Sequence, residues 1–275
     1  MEMFAEPARL TFAWLIAMGV MTGLIALIAK RRAAFADLSS SSNELVTNFA
    51  LALCNGILLA PLLILPANAV HGLVGAPSLM VEFWAEANSL FALAVAFLLM
   101  EFAVYWRHRF EHHPLLWRFH ATHHADEHLH WLSVLRKHPV SGLLSRTVDI
   151  LPLLILGLPP ETVFFANVIR SVWGFFIHVD VPWTLGHAGK WLMSPAAHRL
   201  HHIRDEALMG TNYGNTITLW DRVFETYCDP TPYLNCTTGI EEGTRDFLGE
   251  LWRPWERRYR ARWWPESRRR AEVAD

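Results

Sequence analysis

The sequence predicts an all-α integral membrane bundle of about four spans, with a histidine-rich helical cap on its cytosolic side. Three observations carry that expectation. Of 275 residues, 52% are apolar and only 18% charged, against about 25% charged in soluble proteins. Uncharged apolar stretches recur at the length that crosses a hydrocarbon core. And of fifteen histidines, all but His71 fall between His108 and His202. The net charge of −2 argues against nucleic acid as a partner. Thirteen tryptophans suit a membrane interface, where indole is favoured. Cys54, Cys228 and Cys236 show neither metal nor disulfide spacing, which fits a reducing, cytoplasm-facing location.

The elements follow in order. Leu10 to Ala29 is free of charge and long enough to span. Lys30-Arg31-Arg32 follow it, the reverse of a signal peptide, so it reads as a retained span with its N-terminus outside. Leu45 to Ala67 is the second span. The loop from Asn68 to Asn88 has no Lys or Arg, which places it outside. A third span, about Leu90 to Trp106, returns to the cytoplasm and delivers Arg107, His108 and Arg109. A second apolar region, Val140 to Pro182, breaks at Gly157-Leu158-Pro159-Pro160 into a hairpin. Four spans result, or five if both arms cross. Asp149 and Arg170 lie at matching distances from the break and are expected to pair. An unpaired charge at that depth costs about 2.5–3.5 kcal/mol. The tail from Arg245 to Arg270 mixes arginines with Trp252, Trp255, Trp263 and Trp264 and reads as a segment resting on anionic headgroups. The chain thus divides into 1–89 (spans and external loop), 90–230 (histidine-bearing region with its hairpin) and 231–275 (basic, Trp-rich tail).

The histidines come in three clusters: His108-x-x-x-His112, His120-x-x-His123-His124 and His198-x-x-His201-His202. Positions i, i+3 and i+4 share a helical face, so each cluster aims two or three imidazoles at a common point. Eight imidazoles exceed the needs of one zinc, which takes four ligands or three plus water. They suit two transition-metal ions, and imidazole is a good ligand for iron. A rival reading stands in the first cluster, where His108-Arg109-Phe110-Glu111-His112 spells the H-x-x-E-H of inverted zinc proteases. That reading makes Glu111 a general base and the chain a zinc-dependent membrane lipid hydrolase. It leaves the other clusters without a role, whereas in a two-metal site Glu111 can orient an imidazole.

The order HxxxH, HxxHH, HxxHH resembles the fatty acid hydroxylase / sterol desaturase superfamily of membrane di-metal oxygenases. Trp131, Arg136-Lys137-His138-Pro139, Ser194-Pro195, Asn212-Tyr213-Gly214 and Trp220 through Tyr227 resemble that family's flanking pattern. The resemblance implies two iron ions bound by His108, His112, His120, His123, His124, His198, His201 and His202. It adds His178, which falls where relatives place an intermediate histidine. Many relatives carry another histidine four residues on, where this chain has Pro182, and His187 or His138 is the expected substitute. His71, His113, His128 and His130 read as ordinary polar residues. The implied activity is O2-dependent hydroxylation or desaturation of a lipid C–H bond in a sterol, fatty acyl chain or carotenoid. Electrons would come from a separate ferredoxin- or cytochrome-type donor. The protein would sit in the cell inner membrane with its metal site facing the cytoplasm. No side chain is expected to act as a catalytic acid, base or nucleophile, since metal chemistry of this kind needs ligands, orientation and a dry cavity.

Overall fold

A computed structural model describes residues 2–31, 34, 41–59 and 77–261, and every regular element among them is helical. His71, the far end of the second expected span, Arg32, Trp263 and Trp264 lie outside the described residues.

Helix α1 spans Glu2–Lys30 and exposes Leu10, Ile16, Val20, Leu24 and Ile28, a surface that suits lipid. Helix α2, Ser42–Leu53, runs into a π-helical turn, Cys54–Leu59. After α3 (Ser78–Glu86), the Asn88 side chain accepts from the backbone N–H groups of Leu90 and Phe91 and starts α4, Ser89–Glu111. That cap satisfies donors the first turn would otherwise leave bare. The sequence places the end of this span near Trp106, but α4 continues unbroken to Glu111, so an apolar helix itself carries His108. Two stretches, Ala8–Lys30 and Ser89–Glu111, are long and apolar enough to cross a membrane.

Proline at the first helical position opens the next three helices, where its missing N–H costs nothing. These are α5 (Pro114–His124), α6 (Pro139–Ile155) and α7 (Pro160–Ile177). Helices α6 and α7 form the expected hairpin, turned by Gly157 at φ 73°, where a side chain would be strained. Their 17 and 18 residues reach about 25–27 Å, short of the roughly 30 Å hydrocarbon core. Helix α4 packs into the hairpin through Ala96, Met100 and Val104 against Leu153, Val163 and Ala166. The alanines let the backbones approach closely.

The expected pairing of Asp149 with Arg170 is present at 3.7 Å, but it is secondary. Arg107 of α4 holds Asp149 more closely, with Nε donating to Oδ1 at 2.6 Å and Nη2 to Oδ2 at 3.3 Å. Arg107 also pairs with Glu111.

The cap is completed by α8 (Pro195–His201), α9 (Glu206–Met209) and α10 (Leu219–Val223). Two isolated antiparallel bridges, Leu192 to Ile217 and Ile203 to Thr238, tie its loops. The described part of the tail, α11 (Phe247–Trp252) and α12 (Arg257–Ala261), folds back on the cap. It does so through buried Glu250, Arg253 and Tyr259, while Trp252 and Trp255 stay exposed.

Candidate metal centre

Four helix ends converge beneath the cap. Helix α4 ends on His108 and, at its C-cap, His112. The last turns of α5 carry His120, His123 and His124. His178 caps the C-terminus of α7, and α8 with its C-cap brings His198, His201 and His202. Local sequence fixes α8: the Ser194 hydroxyl accepts from the Ala197 N–H at 3.1 Å, and Pro195 begins the helix.

Their ring nitrogens fall into two groups, each within 4.8 Å of one another: His108, His112, His120, His124 and His201, and then His123, His178, His198 and His202. The groups adjoin, with the His124 and His202 rings stacked at 4.4 Å. All nine sequence-expected residues are brought together. Neither candidate substitute for the histidine absent at Pro182 joins them. His138 caps α6, accepting from the Val140 N–H at 3.1 Å, and His187 is exposed. The second group therefore has four imidazoles against five in the first. His113 caps α5, His128 meets Glu44 at 3.2 Å, and His130 caps the short 3-10 turn at Trp131.

Tautomers follow from backbone partners. Nδ1 of His108 lies 2.8 Å from the Tyr213 carbonyl oxygen, Nδ1 of His201 2.7 Å from that of Thr211, and Nδ1 of His178 2.7 Å from that of Gly174. A carbonyl only accepts, so each Nδ1 carries the proton and each Nε2 presents a bare lone pair. Yet Nε2 of His108 and Nε2 of His201 stand 2.9 Å apart. Two lone pairs at that distance repel unless a cation sits between them. Burial forbids the alternative of a shared proton on an imidazolium: it pulls His201 down to about 4. Burial, then the neighbouring imidazoles, hold His120, His123, His124, His198 and His202 well below the ordinary histidine value. Neutral imidazole is the form that binds metal. The Nε2 atoms of His124, His198 and His202 each face another histidine Nε2 at 3.0–3.2 Å. Among the buried atoms that lack a hydrogen-bond partner are His112 Nε2 and His123 Nδ1. Buried polar atoms are rarely left so. The donor set fits two transition-metal ions.

The three carbonyls escaped the sequence reading, because side-chain motifs do not display backbone acceptors. Their signal was nevertheless present in Asn212-Tyr213-Gly214 and Asp221. Asp221 accepts from the N–H groups of Tyr213 and Gly214 at 2.7 and 2.8 Å. Asn212, at φ 55°, bridges the backbone carbonyls of Ala197 and Cys228. A Cβ at position 214 would meet the Ile217 carbonyl oxygen at 2.5 Å. This tight turn aims the Tyr213 and Thr211 carbonyls at their imidazoles. Glu111 is held by Arg107 and lies 3.6 Å from His120 Nδ1, close to the orienting role expected of it.

Residues 93–226 match the family model described as fatty acid hydroxylase. Among relatives, the ornithine lipid hydroxylase OlsE of Rhizobium tropici is 29% identical over 65% of this chain and 55% of its own length. The alkylglycerol monooxygenase of Danio rerio is 33% identical over 48% of this chain and 30% of its own. A Delta(7)-sterol 5(6)-desaturase of Gibberella zeae is 28% identical over 49% and 41%. The chain thus spans between about a third and a little over half of these relatives. No solved structure matches.

Proposed function

With residues 93–226 forming a fatty acid hydroxylase domain, we propose that the chain is a membrane di-iron oxygenase that hydroxylates or desaturates a lipid C–H bond. The ligands are the nine histidines, His108, His112, His120, His124 and His201 for one ion and His123, His178, His198 and His202 for the other. The observation that carries this reading is the pair of bare Nε2 atoms, His108 and His201, facing each other at 2.9 Å with their protons held on Nδ1. Irons bound there would supply activation of dioxygen for attack on an unactivated C–H bond.

The chain's own residues do the rest. The Gly174, Thr211 and Tyr213 carbonyls hold protons away from the metal-facing nitrogens. Trp117 and Tyr213 pack against the imidazoles and keep water out. The hydrolase alternative is disfavoured because it uses only the first cluster, whereas the histidines of all three clusters and His178 converge in two adjoining groups.

The remaining parts of the reading are topology and partners. The absence of Lys and Arg from 33 to 106, bounded by Lys30-Arg31-Arg32 and Arg107, supports a cap facing the cytoplasm from the inner membrane. Four spans, with the hairpin inserting from the same side, accommodate this. Electrons come from a separate donor protein. Metal analysis of the purified chain tests the core of the proposal: about two irons per chain are expected, and a single zinc would overturn it. Lipid extracts of a deletion strain and its parent, with 18O2 labelling, then separate alcohol from alkene. In a cysteine-free background, a cysteine at Glu82 should react with an impermeant maleimide in intact cells and one at His113 should not.

A further inference from the structure

A cavity of about 640 Å³ opens between α1, α2, α6 and α7. On α7 its wall runs Asn167, Arg170, Ser171, Gly174, the i, i+3, i+4, i+7 rhythm of one helical face. Arg170 is eight residues from His178, about 12 Å along the helix, so the cavity lies on the hairpin side of the metal groups. It also touches them, since the Gly174 carbonyl accepts from His178 Nδ1.

Its charge is unbalanced. Lys137, Arg146 and Arg170 line it, and among the described residues Asp149 is the sole lining carboxylate. That carboxylate is held from behind by Arg107 through two hydrogen bonds. Glu111 lies outside the cavity lining and gives its Oε2 to Arg107, and Glu101 is held by the backbone and hydroxyl of Thr216 and the N–H of Ile217. Lys137 reaches only the Ser145 hydroxyl, at 3.2 Å. Two guanidinium atoms at the wall, Arg146 Nη1 and Arg170 Nε, are buried without a hydrogen-bond partner. Arg170 is partly balanced, its Nη2 donating to Asn167 Oδ1 at 3.0 Å and lying 3.7 Å from Asp149. Arg146 and Lys137, however, have no carboxylate partner among the described residues, and cations within apolar helices are costly. The lining from α1 is apolar, with Leu10 and Leu15, and Ile150 and Phe175 add apolar surface from the hairpin helices.

We propose that this cavity binds the acidic headgroup of a lipid, a phosphate or carboxylate held by Arg146, Arg170 and Lys137, with its hydrocarbon chain lying along α1. The apolar wall distinguishes a lipid from a free anion, which would gain nothing from it. The inference rests on the oxygenase reading for its purpose and narrows the substrate to lipids with a negative polar end, delivered headgroup-first toward the second histidine group.

The test is calorimetric titration of the iron-loaded full chain in neutral detergent with dihexanoyl phosphatidic acid, dihexanoylglycerol and inorganic phosphate. Phosphatidic acid should bind at least about tenfold more tightly than the uncharged lipid. R146Q should erase that preference without loss of iron. N167D, which sets a carboxylate of the same size beside Arg170, should also erase it and does not depend on R146Q folding. Equal affinity for the two lipids, or a preference that survives both substitutions, would overturn the proposal. Inorganic phosphate binding as tightly as phosphatidic acid would assign a free-anion site and overturn the lipid assignment. A chain that binds no iron yet keeps the preference would sink the oxygenase reading and leave the headgroup site standing.

Discussion

Two buried polar clusters flank α5, and they treat their polar atoms in opposite ways. On one side is an arginine hub. Arg136, fully buried, donates to the Thr122 carbonyl, Asn48, Asp126, Thr244 and Glu250. Glu250 in turn is gripped by Arg253 at 2.7 Å through two nitrogens, and Arg253 donates to the Gly243 carbonyl. No side-chain atom of Arg136, Asp126, Glu250 or Arg253 lacks a partner. On the other side are the nine histidines, several with nitrogens left bare. Both clusters are dry and both are expensive to desolvate. The hub is complete as it stands, and its work is to clamp α2, the Trp131 turn and the tail onto the cap. The histidine cluster has ring nitrogens facing one another that the proposed cations would satisfy. Satisfaction, rather than burial or charge, separates the structural cluster from the functional one.

The contrast can be broken most severely at His201. His201→Ala removes a nitrogen from the five-membered group, and turnover should fall by more than about a hundredfold, beyond the loss typical of an outer residue, with reduced iron and normal membrane insertion. Full activity with full iron would remove that cluster from the metal site. In the hub, Arg136→Met should cost about 3–5 kcal/mol of stability by leaving Asp126 and Glu250 uncompensated. The protein that still folds should carry wild-type iron. Iron lost in proportion to stability would mean that the two clusters are one functional unit.

Gly214→Ala sharpens the comparison from the supporting side. The added methyl meets the Ile217 carbonyl and Asp221 and displaces the turn that aims the Tyr213 carbonyl. Iron affinity should drop about 10–100-fold, beyond a stability loss of about 1–3 kcal/mol from the clash itself. Acid separates the clusters more gently. Burial holds His201 near 4 when folded, against about 6.5 unfolded, so the unfolded chain binds the extra proton. Stability of the metal-free chain should therefore fall as pH drops from about 6.5 toward 4, by up to about 1.4 kcal/mol per unit for this residue. Bound iron should flatten the slope, and a flat profile without metal would show that the site is not dry. The smallest effect is expected at His113→Ala, which removes only the N-cap of α5: about 1 kcal/mol and no iron.

Much of this was legible in the chain. The clusters at helical spacing, the charge-free α1 and α4, and the Gly157–Pro160 break are local signals, and helix geometry converts them directly into faces and turns. What the sequence could not show is which distant groups meet. Asp149 sits at the right depth to find Arg170, and does, but Arg107 from α4 arrives closer because α4 packs into the hairpin. His138 lies in a motif beside the site in sequence, yet it spends its nitrogen on capping α6. The tail reads as arginines among tryptophans, and only tertiary structure reveals that Arg253 is turned inward on Glu250.

The cavity wall supplied by α1 and the π-helical turn after α2 has a further meaning. Leu10, Trp14, Leu15 and Asn55 line the cavity, and all precede residues 93–226, the stretch that matches the fatty acid hydroxylase family. The cavity is thus shared: its cations, Lys137, Arg146 and Arg170, belong to the matched stretch, while part of its apolar lining comes from the helices before it. If the proposed headgroup site holds, substitutions at Leu10, Trp14 or Leu15 should change lipid preference while iron content stays at the wild-type level. Chimaeras that exchange the leading helices between relatives would then retune the hydrocarbon side of the pocket while leaving its charged side in place.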